Sequence, residues 1–234
     1  MFQSLEIINP QKHANLTYKS VPGYAHARKL TSAPLSASEM PAAARHFPIL
    51  FPRAGRLVPV ALFGLQRDAS LFVDDKGVWM ADYVPAHIRR YPFILGQTGE
   101  EHRFVVMIDR AAPHFASGEG EALFADGQVV AGGVLERAKT FLGRYQGELE
   151  RTEKLVQPLE EHGVLIERQF TMSRGGKNEI AVQGFRQVDE TRVAALSDAV
   201  LGQWVRSGLM AIVISHLHAL SNAQRMVQRL KAHA

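Results

Sequence analysis

The sequence predicts an α+β protein: a β-rich amino-terminal half, mainly antiparallel, then one long amphipathic helix, a β-hairpin and two carboxy-terminal helices. Three observations predict it. Apolar and aromatic runs of strand length, punctuated by Pro and Gly, fill residues 46–110. Apolar residues recur at helical spacing from about Val134 to Gln157. Strand and helix patterns are segregated along the chain rather than alternated, which argues against a doubly wound parallel sheet.

Each element follows in order. Leu5, Ile7 and Ile8 form an opening strand or arm before Asn9-Pro10. Residues 21–45, with prolines at 22, 34 and 41, read as loop with one short helix capped by Ser38 and carrying Pro41 in its first turn. PVALFGLQ (59–66) and SLFVDD (70–75) read as strands, and LFVDDKGVWM has a hairpin turn at Asp-Asp-Lys-Gly. HRFVVMID (102–109) is a further strand, whose continuous FVVMI run predicts burial on both faces. Residues 118–133 are turn-rich, with a short apolar element at Ala122–Phe124. Pro158 should end or bend the long helix, and Gly163 should cap the short turn after it. Residues 164–189 predict two strands around Arg-Gly-Gly-Lys-Asn, with Ile166, Arg168, Phe170 and Met172 on one half-buried face. Asp189 should cap a helix holding Val193, Leu196, Val200, Leu201 and Trp204. Ser207-Gly208 then punctuates, and a last helix runs to about residue 231.

The 234 residues suit one domain over 1–234, with a subdivision near 133 left open. Twenty-seven Lys and Arg against 23 Asp and Glu give a net charge of +4, too mild for a dedicated nucleic-acid binder. The absence of cysteine excludes disulfides, thiolate metal sites and thiol nucleophiles. The first residues have neither a basic nor an apolar signal region, so no secretory leader is expected. The longest uncharged apolar stretch, Gly208–Ser215, is far short of the ~20 residues that span a bilayer. A soluble, cytoplasmic protein is the expectation.

The motif that most resembles chemistry is Ile-Ser-His216-Leu-His218-Ala-Leu. On a helix, 100° per residue places His216 on the apolar face with Leu209, Val213, Leu220 and Val227, and His218 on the opposite side with Arg225 and Arg229. Only a strand would let both rings share a face and one metal. Histidines 46, 87, 102 and 114 have no acid two residues on, so no His-x-Asp/Glu iron motif is present and no metal is expected. There is no Gly-x-Ser-x-Gly, and Ser173-Arg-Gly-Gly-Lys-Asn178 lacks phosphate-loop spacing.

The remaining concentration of chemistry is ADYVPAHIRRYPFILG (81–96). Arginine offers a planar fork of donors and tyrosine a stacking face, a combination suited to an anion or a peptide. Tyr83, His87, Arg89, Arg90 and Tyr91 are therefore the candidate ligand-binding residues, with Asp109 and His216 as groups that would complete a pocket. The same residues could instead be a Pro-bounded core segment. A non-enzymatic binding protein for a protein, peptide or small anionic ligand is expected, with no cofactor. The alternatives are a metal-dependent enzyme using His216 with another His and Asp109, or a surface-layer or envelope assembly component.

YVPAHIRRYPFIL (83–95), MIDRAAPHF with GEALFADG (107–127), GFRQVDETRVAALSDAVL (184–201) and SGLMAIVISHLHAL (207–220) together resemble the bacterial SapC family, in its order and over most of the chain. That resemblance implies an association with bacterial surface layers through the family's name, and no catalytic residues.

Overall fold

The structure, a computed structural model, describes residues 1–97, 104–174 and 177–232. Its elements in chain order begin with strand β1 (Leu5–Ile7), helix α1 (Pro10–His13), β2 (Leu16–Tyr18), β3 (Ser32–Pro34), α2 (Met40–Ala43), β4 (Ile49–Pro52), β5 (Val60–Leu62) and α3 (Ala86–Arg89). Strands β6 (Phe93–Gln97), β7 (Phe104–Asp109), β8 (Phe115–Ser117), β9 (Glu121–Ala122), β10 (Phe124–Ala125) and β11 (Gln128–Val129) follow. The long helix α4 (Val134–Glu161) leads to the hairpin β12 (Leu165–Arg174) and β13 (Lys177–Val188). The chain closes with α5 (Glu190–Ala194), α6 (Asp198–Ser207), α7 (Leu209–Leu220) and α8 (Asn222–Ala232).

Two antiparallel sheets set the frame. The larger has the order β12-β13-β4-β5-β3, joined where Phe185 and Arg186 face Pro52 and Phe51. The smaller has the order β1-β7-β6 and packs near the three-stranded β8-β2-β9. Helix α7 lies against β4 and β13. The main core, with Phe47, Phe51, Phe63, Phe72 and Trp79 at its centre, fills the space between the large sheet and the carboxy-terminal helices. A second core gathers Phe93, Ile108, Phe115, Leu123 and Leu135. Helix α4 runs past both: Leu135 and Leu142 enter the second core, Tyr145 and Leu149 a small bridging cluster, and Val156 and Leu159 the main core. Each large core draws residues from both sides of position 133.

The α+β architecture is as the sequence predicts. Several details differ, for identifiable reasons. The early cap is Ser36, not Ser38: Glu39 returns a carboxylate oxygen to the Ser36 backbone N–H (3.0 Å), and Pro41 opens α2. The Asp-Asp-Lys-Gly turn forms, but its strands shrink to one bridge, Val73 to Trp79. Asp74 Oδ1 accepts from the N–H groups of Lys76 (2.9 Å) and Val78 (2.7 Å), and so competes with the ladder. Along its middle, strand β7 is fully buried on one face only. Val106 and Ile108 point into the core while Val105 and Met107 are half-buried, because helix α4 covers one side of this sheet. His102, at the predicted start of that strand, lies outside the described residues.

Helix α4 continues through Pro158 to Glu161, where Gly163 turns the chain at φ 63°. The proline removes one bond in the last turn, and fully buried Val156 and Leu159 hold that turn on the core. In β12, register shifts between Arg168 and Thr171 break the predicted alternation, so Arg168 is exposed while Phe170 is half-buried. The helix after Asp189 is two helices, because Ser197 starts a second one by accepting from Val200 N–H (3.4 Å). The predicted final helix is likewise divided at Ser221.

Candidate functional site

Short backbone elements hold the 81–96 segment against α4. Pro85 opens α3, and the Ala86 N–H that α3 leaves free donates to Glu39 Oε1 (2.7 Å). The Tyr83 hydroxyl donates to the same oxygen (2.8 Å), while Oε2 accepts from Ser36 N–H and Oγ (3.0 and 2.9 Å). Glu39 is 6% exposed, so this is a buried carboxylate whose charge is met by four donors. Burial, with Glu39 beside it, holds the Tyr83 hydroxyl's pKa well above the usual phenol range.

The next turn of α3 carries a chain of three polar groups. The Arg90 Nη2 donates to His87 Nε2 (3.2 Å). A guanidinium has no acceptor, so the neutral ring proton sits on Nδ1, which faces the Tyr145 hydroxyl at 3.2 Å. That hydroxyl in turn reaches the Pro34 carbonyl at 3.5 Å. Burial, with Arg90's positive charge beside it, holds the His87 pKa down to about 3. The imidazole is therefore neutral near pH 7 and too weak a base for general-base chemistry there.

Arg90 is the anomaly. Its Nε is buried and has no acceptor, and no carboxylate pairs with it among the described residues. Its guanidinium carbon lies 5.6 Å from the Phe2 ring centre and 5.9 Å from that of Tyr145. Burial lowers its pKa from the ordinary arginine value. Arg89, by contrast, is exposed; it donates to the Val84 carbonyl (3.0 Å) and lies over Phe141.

Tyr91, which precedes a cis Pro92, anchors a second cluster. Its ring stacks on His26 (4.1 Å between centres, 11° apart) and meets His114 edge-on (5.4 Å). Its hydroxyl donates to Asp109 Oδ2 (3.2 Å), and burial first and Asp109 second push its pKa up to about 12. Asp109 is fully buried and also accepts from Gln3, Ser4 and Ala111 N–H groups. It pins the start of the chain to the end of β7. Burial holds the His26 pKa down to about 4 and lowers that of His114, whose Nδ1 has no partner.

His216 lies in the main core, with no exposure. Its Nε2 accepts from Val188 N–H (3.1 Å), and its ring sits 5.1 Å from that of Phe51. Burial holds its pKa down to about 4, partly offset by the Ile49 carbonyl, which does not meet hydrogen-bond geometry at Nδ1. His218 is exposed on the other side of the helix, so the His-x-His pair is split as helical geometry requires.

The structure thus places Tyr83 with Glu39, His87 and Arg90 with Tyr145, and Tyr91 with Asp109, in three neighbouring hydrogen-bonded groups, and leaves Arg89 on the surface. No bond or ring contact links His216 to any of them. Among the described residues, no group of three or more His, Asp or Glu side chains is placed to hold a metal ion. Clefts of about 310 to 790 Å³ open elsewhere on the surface. Sequence reasoning missed Glu39, Tyr145, His26 and Phe2. Of these only Glu39 had a local signal, the Ser36-x-x-Glu39 spacing of a capping box.

The fold and the site together define a mixed α+β protein of antiparallel sheets and carboxy-terminal helices, with no single described helix long and apolar enough to cross a membrane. Residues 8–226 match the SapC family model, and the chain belongs to the SapC family. Neither a curated protein nor a solved structure matches it.

Proposed function

We propose that this chain is a non-enzymatic binding or accessory protein of the bacterial cytoplasm. It uses no metal or cofactor, and takes an anionic group of a peptide or small ligand at Arg90. The observation that carries this reading is a half-buried guanidinium with an orphaned Nε and no carboxylate partner. Desolvating an unpaired charge is costly, and a bound carboxylate or phosphate would neutralise it. The neutral His87, oriented by Tyr145, supports it by holding Nη2 and leaving the rest of the fork for the ligand. Tyr91 and Phe2 supply aromatic walls.

Thermal unfolding tests this, with inorganic phosphate and acetylated tetraglutamate as probes. The wild-type protein should be stabilised saturably by at least one of them. Arg90→Met should abolish that shift. Unliganded Arg90→Met relieves a desolvated charge but strands the His87 Nε2 acceptor, so its own melting temperature is the baseline against which its ligand shift is read. No shift in the wild type, or the same shift in Arg90→Met, would refute the reading.

A further inference from the structure

The carboxy-terminal helices carry a second, separate feature. A cleft of about 660 Å³ opens between α2 and the α7–α8 junction, and it shares no lining residue with the Arg90 networks. Its apolar side chains include Leu217 and Ile214, the latter 50% exposed. Its ionisable groups are Arg45, Arg225 and His218, with no carboxylate among them. Neither arginine is ion-paired among the described residues.

The cleft is also braced from within. Asn222 is 2% exposed, and its Nδ2 donates to the carbonyls of Ala44 (2.8 Å) and Phe47 (3.2 Å), tying the end of α2 to the start of α8. Its Oδ1 accepts from Arg225 Nη1 (3.3 Å), so the same buried amide fixes the cleft wall and steadies one of the two guanidinium groups. An apolar strip flanked by unpaired arginines is complementary to a chain that alternates apolar side chains with carboxylates.

We propose that this cleft docks an acidic, amphipathic segment of a partner protein, with apolar side chains against Ile214 and Leu217 and carboxylates toward Arg45 and Arg225. The full-length protein would be titrated into a fluorescein-labelled short peptide of Leu and Glu in amphipathic helical order, read by anisotropy. Saturable binding is expected, weakened on the order of tenfold or more by Arg45→Glu with Arg225→Glu, and also by Ile214→Asp. It should fall with added salt, and the Arg45→Glu with Arg225→Glu variant should keep the Arg90-dependent stabilisation by inorganic phosphate, which separates this inference from the anion site. A Leu/Lys peptide of the same order should not bind.

The absence of saturable binding overturns the proposal, as does equal binding by the charge-reversed variant or by the Leu/Lys peptide. Two further results would assign the cleft to another occupant and overturn it as well. One is sedimentation with phosphatidylserine vesicles that needs Arg45 and Arg225 in a protein that ignores the peptide. The other is a concentration-dependent dimer, seen by analytical ultracentrifugation, that Ile214→Asp dissolves.

Discussion

At the scale of single residues, the buried acids of this protein are holders of backbone rather than reagents. Glu39 spends both oxygens on four donors from two distant stretches, 36 and 83–86. Glu39→Gln puts an NH2 where one oxygen stood, so the donors on that side meet another donor. The expected cost is about 2–3 kcal/mol, the range for stranding buried groups that had bonded to a charge. Tyr83→Phe removes only one donor and should cost about 1 kcal/mol. Urea unfolding measures both, and a Glu39→Gln cost no larger than that of Tyr83→Phe would contradict this account. The Ser36-x-x-Glu39 spacing was legible in the sequence, but its use as a socket for Tyr83 and Ala86 was not, since that depends on a contact 44 residues away. The same limit explains Arg90. The sequence singled it out as a donor fork, but only packing reveals that it is buried without an acid while its neighbour Arg89 is not.

At the scale of elements, strong periodicity was read correctly and its interruptions were not. Helix α4 and the split faces of α7 follow from the 3.6-residue repeat, which needs no knowledge of the partner surface. The run of α4 past Pro158 and the β12 register shift were not read, because core packing overrides a local preference there. The turn between α6 and α7 was legible, and its chemistry is simple. Gly208 has φ 85°, and a Cβ added there meets nothing within 4 Å. Gly208→Ala should therefore cost about 1 kcal/mol through left-handed backbone strain alone. Gly64 is the opposite case: its φ is ordinary, but a Cβ would lie 2.0 Å from the Ala69 carbonyl oxygen. Gly64→Ala should cost clearly more than Gly208→Ala in parallel denaturant titrations. Equal costs would mean that the backbone at Gly64 yields freely, and that the close approach does not constrain the 64–69 loop.

At the scale of the whole molecule, the cores share an unusual dependence on neutral imidazoles. His216 sits in the main core, His87 beside the bridging cluster, and His26 against Tyr91 at the second. Burial comes first among the causes in all three, and it depresses their pKa values to about 4, 3 and 4 respectively. In the unfolded chain each imidazole titrates near ~6.5. Between that value and about 4 the unfolded state binds more protons than the native state, so stability must fall as pH falls. The slope should approach ~1.4 kcal/mol per pH unit for each such histidine. The depressed carboxylates of Glu6, Glu121, Glu148 and Glu160 act in the same direction, but only below the ordinary carboxylate range near 4.5. The two sets therefore separate by pH. Urea unfolding from pH 7 to 4.5 should show a steep loss of stability above the carboxylate window. His216→Phe should flatten that slope by about one histidine's share, even though it also lowers stability at pH 7 by stranding the Val188 N–H. A flat profile between pH 6.5 and 5, or a slope that His216→Phe leaves unchanged, would mean that the core admits a protonated imidazole, and that His216 is not held neutral by the packing around it.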